Sequence, residues 1–175
     1  VGPTQSDGSP YQTSSTHAGN PLLIALEPLV ERGWLETKPD SDTPSAKNRA
    51  LMQAWKGFQR MAGRREREAL RAFSAEQSYW LPDYALFRVL HEEQGDCWWR
   101  WPPPLRGRDQ PALSDARGRL APAIDYVVFE QFLFFSQWER LRAYLNGQGI
   151  KLFGDMPIFV AHDSAEVWAR PQDFD

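Results

Sequence analysis

Between Ala46 and Met61 the apolar residues Leu51, Ala54, Trp55, Phe58 and Met61 recur at steps of three and four. That spacing gives one face of an α-helix. Arg64 to Arg71 continues it as a charged helix, with arginines and glutamates at helical neighbour spacings, a solvated face. Pro82 suits the first turn of a third helix running to about His91, with Leu86, Phe87 and Leu90 on its buried side. A long helix is predicted from about Ala123 to Leu145. Its apolar positions Val128, Phe132, Phe135, Trp138, Leu141 and Leu145 cover more than one face, which predicts heavy burial. Asn146-Gly147 is the expected stop. Two segments break the helical rhythm. Residues 1–20 are rich in Gly, Pro, Ser and Thr and read as a long loop, of the kind that often carries function. Leu22 to Leu26 reads either as a strand or as a helical first turn.

The last stretch changes period. Ile150-Lys151-Leu152-Phe153 is a short run of strand type, broken by Gly154 and followed by Asp155. Helix, turn, strand and loop in that order form the αβ step of a repeating β/α architecture. Residues 36–122 are too helical and too long for one simple crossover. The expected fold is therefore α/β: a partial (β/α)8 TIM-type barrel with a helix-rich insertion. Its parts are a barrel segment with a loop at 1–35, the insertion at 36–122, and a barrel helix, strand and loop at 123–175.

Composition narrows the function classes. Of 175 residues, 42% are hydrophobic and 25% charged, ordinary for a globular domain. A net charge of −3 argues against nucleic acid as a partner. No apolar run has the roughly 18 residues of a spanning helix, so no membrane partner is expected. The single cysteine, Cys97, excludes an internal disulfide framework and reads as a partly buried small hydrophobe. His17, His91 and His162 form with it no zinc spacing, and no phosphate-cradling glycine motif is present. Neither a metal nor a cofactor is expected. Tryptophan is the outlier, with eight residues. Most of these belong in the core; the cluster Trp98, Trp99 and Trp101 before Pro102 is the one with a candidate ligand-stacking role.

Asp155 is the leading chemical candidate. A carboxylate at the carboxyl end of a buried strand can grip sugar hydroxyls with both oxygens, or cap a helix. Asp163 and Ser164 precede Ala165-Glu166-Val167-Trp168 and read equally as an N-cap pair or as ligand contacts. Asn20-Pro21 reads as a turn device. Trp168 reads as core or as a site wall.

Several long strings carry a family resemblance. They are Gly2-Pro3-Thr4, Gly8-Ser9-Pro10-Tyr11-Gln12, Ala18-Gly19-Asn20-Pro21-Leu22-Leu23-Ile24, Trp80-Leu81-Pro82-Asp83-Tyr84-Ala85-Leu86-Phe87, Trp98-Trp99-Arg100-Trp101-Pro102, Phe132-Leu133-Phe134-Phe135-Ser136-Gln137-Trp138, and the run from Gly154 to Trp168. In order and spacing the chain resembles the amylomaltases, which are 4-α-glucanotransferases or disproportionating enzymes. Between Leu35 and Lys47 it is shorter than the usual family sequence.

The resemblance implies a retaining double displacement that moves α-1,4-glucan segments between maltooligosaccharides, with glucose as one acceptor, in the cytoplasm. It implies that Tyr11 stacks on the donor glucose and that Asp155 holds it, with Ser9, Asp163 and Ser164 as further contacts. Retaining transfer needs two carboxyl groups about 5 Å apart. The family's nucleophilic Asp lies in an Arg-x-Asp-His type motif and its acid/base Glu in a Glu-Asp-Leu-Gly type motif. Neither occurs here, and both are expected beyond Asp175. No catalytic residue is assigned within the chain, and the segment alone is expected to be inactive. The alternative is a truncated, non-catalytic glucan-binding module.

Overall fold

The computed structural model describes residues 2–4, 12–154 and 160–174. Its helices are α1 (Glu27–Glu31), α2 (Pro44–Met61), α3 (Arg64–Glu76), α4 (Leu81–Gln94), α5 (Pro103–Arg106), α6 (Gln110–Arg119), α7 (Ala121–Gly147) and α8 (Ala165–Ala169). The chain divides into two compact units.

One unit comprises residues 20–76 and 129–154. It starts with a single 3-10 turn, Pro21–Leu23, capped by Asn20, whose Oδ1 accepts from the Leu22 N–H at 3.0 Å. This settles the ambiguity at 22–26: Asn20-Pro21 is a turn device, and no strand follows. The Ala25 backbone finds its partners in one side chain instead. Its N–H donates to Gln137 Oε1 at 2.7 Å, and its carbonyl accepts from Gln137 Nε2 at 3.0 Å. Thr43 caps α2 by accepting from the Ala46 N–H. The core gathers Trp34, Trp55, Phe58 and Phe129, with Phe58 and Phe129 centroids 5.0 Å apart and Trp34 edge-on to Phe58 at 4.9 Å. Gly57 lets α2 approach the Trp34 backbone, since a Cβ there would sit 2.0 Å from the Trp34 carbonyl oxygen. In α3 no residue is buried, as its charge pattern predicts. Arg67 has an added job: its guanidinium donates to the carbonyls of Gln59 and Ala62, closing the end of α2.

Two expectations fail in this unit. The first concerns the strand at Ile150–Phe153. Those residues form no ladder and lie at the surface, with Phe153 102% exposed. A strand persists only with a neighbour to satisfy its backbone groups, and none is supplied among the described residues. The stop of α7 falls where expected: the helix runs to Gly147, and Gly149, at φ +74°, closes the turn after it. The Ile150 N–H donates to the Leu145 carbonyl and the Gly149 N–H to the Asn146 carbonyl, a Schellman pair that needs a left-handed residue. The second failure concerns burial of α7. Phe129 to Leu133 are buried, but Trp138 and Leu141 are exposed and Tyr144 is 65% exposed. The later turns carry charged and polar neighbours such as Glu139, Arg140 and Arg142, and nothing described covers them.

The other unit comprises residues 1–19, 77–128 and 155–175. Its centre is α4, which buries Leu81, Tyr84, Ala85, Leu86, Phe87, Val89 and Leu90 and ends on left-handed Gly95. α8 packs on it. Phe87, Trp101 and Trp168 form a triangle with centroids 5.6–5.9 Å apart. The indole of Trp101 donates to the Asp96 carbonyl and that of Trp168 to the Leu105 carbonyl. Both rings are fully buried, so Trp168 is core and not a wall. The described residues contain an isolated bridge, Thr4 with Thr13, and no strand. The β part of the expected α/β fold is therefore absent among them, while the helix-rich part is present. No helix among them is long and apolar enough to cross a membrane.

Candidate functional site

The functional elements meet at the start of α8. Ser164 is fully buried, and its Oγ accepts from the Val167 N–H, which caps the helix. The capping alternative therefore describes Ser164. Asp163, one residue earlier, is an anchor. Its Oδ2 lies 2.8 Å from His91 Nε2, and its Oδ1 accepts from the Trp98 N–H at 3.3 Å. Burial pushes the Asp163 carboxyl up. The His91 hydrogen bond and charge, with the Trp98 N–H, outweigh that and hold it below the usual carboxylate range. The same bond raises His91, against the effect of its burial. Cys97 is pushed up by burial and by the Asp163 charge, which disfavours its thiolate form.

The tryptophan cluster divides by role. Trp101 is core. Trp98 is buried, and its indole donates to the His162 carbonyl at 2.7 Å. Trp99 stays half-buried and stacks on the His162 ring at 4.5 Å. Only Trp99 keeps part of its surface open.

A second set of bonds ties the N-terminal segment to α8. Ser15 Oγ donates to Glu166 Oε1 at 2.6 Å and accepts from the backbone N–H groups of His17 and Ala18. The Ala165 N–H donates to the Ser14 carbonyl at 3.0 Å. Beside this junction lies an open cleft of about 240 Å³, lined among others by His17, Tyr79, Trp80, Glu166, Arg170 and Asp173. The His17 ring is stacked on Trp80 at 5.9 Å and edge-on to Tyr79 at 5.4 Å.

Tyr11, Ser9 and Asp155 lie outside the described residues. Of the sequence-predicted residues, the structure brings Asp163 and Ser164 to one corner, both in positioning roles. Sequence reasoning missed Ser15, His17, Tyr79 and Glu166. Ser15 and Glu166 are 151 positions apart, and no local pattern announces such a pair. Among the described residues, no group of three or more His, Cys, Asp or Glu is arranged to hold a metal ion.

A sequence model of the family described as 4-alpha-glucanotransferase matches residues 1–175. The chain belongs to the 4-alpha-glucanotransferase family. The motif resemblance to amylomaltases is thus borne out. A 4-alpha-glucanotransferase of Thermus thermophilus is 45% identical over 99% of this chain and 37% of that protein. One of Aquifex aeolicus is 36% identical over 97% of this chain and 36% of that protein. The chloroplastic/amyloplastic 4-alpha-glucanotransferase of Solanum tuberosum is 35% identical over 96% of this chain and 31% of that protein. Among solved structures, the amylomaltase of Streptococcus agalactiae in complex with acarbose superposes with a TM-score of 0.89 at 30% identity, over 100% of this chain and 38% of that one. This 4-alpha-glucanotransferase-family chain spans about a third of the length of such relatives.

Proposed function

We propose that the protein carrying this chain is a 4-α-glucanotransferase, moving α-1,4-glucan segments between maltooligosaccharides with glucose as one acceptor. The observation that carries this reading is the match of the family along the whole chain, supported by the likeness to an acarbose-bound amylomaltase. The reaction is a retaining double displacement. A carboxylate attacks the anomeric carbon, and a carboxylic acid protonates the leaving oxygen. The acid, now a carboxylate, then deprotonates a sugar hydroxyl whose oxygen displaces the first carboxylate from the anomeric carbon, and exclusion of water favours that acceptor over hydrolysis. Neither carboxyl group is assigned to residues 1–175.

On this reading the chain supplies part of a (β/α)8 barrel. Residues 1–35 bear an active-site loop, residues 36–122 form a helix-rich insertion, and residues 123–175 bear a barrel helix, a segment at 150–153 that pairs as a strand once a neighbouring strand is supplied, and a second loop. Tyr11 stacks on the donor glucose and Asp155 grips its hydroxyls; Ser9 adds a contact. Asp163 and Ser164 act by fixing the segment that follows. The lone Cys97 supports a cytoplasmic placement.

The test is disproportionation. Maltotriose given to the protein carrying this chain should yield glucose together with longer oligosaccharides. Glucose and maltose alone, with no lengthened product, would mark a hydrolase and sink the transfer reading. Asp155→Ala in the same protein should lower transfer by about a hundredfold or more, as loss of a group that positions substrate does, with the melting temperature unchanged. Wild-type transfer in that variant would remove Asp155 from the donor site.

A further inference from the structure

The cleft beside α8 contains features that the fold does not use. Tyr79 is 62% exposed, so its ring serves no core. It meets the His17 ring edge-on, and His17 lies flat against Trp80. The result is an aromatic corner open on one side. Around it stand Glu166, Asp83, Arg170 and Asp173. Asp83 is taken up by Arg108 at 2.7 Å and Arg117 at 3.8 Å. Glu166 is only half engaged. Its Oε1 holds Ser15, whereas Oε2 is buried and has no hydrogen-bond partner among the described residues. A buried acceptor without a donor is costly, and native structures leave few of them. Burial keeps that oxygen from a ligand's reach, so the polar contacts the cleft offers come from Asp173 and Arg170.

The lining also selects the kind of ligand. An anion would meet the carboxylates of Glu166 and Asp173, and a cation would meet the Arg170 guanidinium. A neutral polyol meets neither penalty. Its hydroxyls donate to Asp173 and accept from Arg170, and each such bond to a charged partner is stronger than a neutral one. A pyranose ring adds an apolar C–H face, which matches the face of a tyrosine. The volume of about 240 Å³ lies below the roughly 300–1,000 Å³ of pockets for drug-sized molecules, which suits one sugar unit.

We propose that this cleft binds one glucose unit of an α-1,4-glucan, its C–H face on Tyr79 and its hydroxyls on the Asp173 carboxylate and the Arg170 guanidinium. That the sugar is a glucose of such a glucan rests on the 4-α-glucanotransferase reading; that it is a neutral pyranose rests on the cleft.

The experiment is calorimetric titration of maltohexaose into the protein carrying this chain and into its Tyr79→Ala and Tyr79→Trp forms. Maltotriose disproportionation is measured in parallel. A 3-fluorotyrosine at position 79 reports local occupancy by 19F NMR. Tyr79→Ala should weaken maltohexaose about tenfold, as loss of a modest apolar contact area does. Tyr79→Trp should retain the affinity, and the fluorine signal should move on adding glucan. Unchanged affinity in the alanine form with a still fluorine signal would overturn the cleft assignment, while wild-type transfer would leave the enzyme reading standing. Equal loss in the alanine and tryptophan forms would overturn stacking on Tyr79. A wild type that neither binds maltohexaose nor transfers from maltotriose would sink the enzyme reading, and the glucan as ligand with it.

Discussion

The two units are held together in different ways. The unit of residues 20–76 and 129–154 relies on shape: four aromatic rings from α1–α2, α2 and α7 pack face and edge, and a glycine allows one close backbone approach. The unit of residues 1–19, 77–128 and 155–175 has its own aromatic triangle, but its distant segments are cross-linked by directional bonds: His91 to Asp163, Trp98 to His162, Ser15 to Glu166. Packing is tolerant of small rotations, whereas a hydrogen bond fixes distance and angle. The cross-linked unit also contains the cleft and the segments flanking the family's substrate motifs. Polar bonds hold side chains in fixed places, whereas a packed core can rely on volume.

That contrast can be broken by mutation. The largest expected effect is in the packed unit. Phe58→Ala removes the ring shared by Trp34, Trp55 and Phe129 and should cost about 3–5 kcal/mol, measured by urea denaturation of the protein carrying this chain. A loss below about 1 kcal/mol would mean that the cluster does not define this core. Gly57→Ala should also be severe, since the new methyl would overlap the Trp34 carbonyl.

An intermediate effect is expected in the cross-linked unit. Asp163→Asn keeps the shape but removes the charge facing His91, and should cost about 1–2 kcal/mol as a charge-assisted bond becomes neutral. The pH dependence sharpens this. His91 is raised in the folded state, so its contribution is complete below the ordinary imidazole value of about 6.5 and is lost as pH rises through the raised value. Asp163 is lowered, so its contribution is complete above the ordinary carboxylate value of about 3.9 and is lost as pH falls through the lowered one. The pair thus stabilises most between about pH 4 and 6.5. The difference in melting temperature between wild type and Asp163→Asn should peak in that window; a difference independent of pH would refute the pairing.

The smallest expected effect on stability is at Tyr79. Tyr79→Ala should change unfolding free energy by no more than about 0.5 kcal/mol, because the ring is exposed. A large loss would recast Tyr79 as structural.

How much of this was legible in the sequence depends on the range of the interactions. The face Leu51, Ala54, Phe58 lies inward because helical periodicity is local and the core is apolar. Pro82 opens α4 as expected, and Arg64–Arg71 is solvated. Ser164 as a cap was one of two readings that neighbouring residues allowed, and only the geometry separates them. The stop of α7 was legible in Asn146-Gly147, whereas only the geometry shows that Gly149 has the left-handed backbone that closes the turn after it. Ile150–Phe153 looked like a strand because composition reports propensity, whereas a ladder needs a partner that composition does not supply. Glu166 was invisible as a site residue because its meaning comes from Ser15, at the other end of the chain. Tyr79 was invisible because an exposed aromatic and a buried one are the same letter.

The Gln137 amide on Ala25 has one further consequence. An extended backbone with a free N–H and C=O side by side is a template on which another chain can add a strand, the first step towards aggregation. Gln137 occupies both groups at once. Replacing it with leucine would uncover that pair on an exposed residue, so the side chain serves as a plug against wrong association as well as a link within the fold.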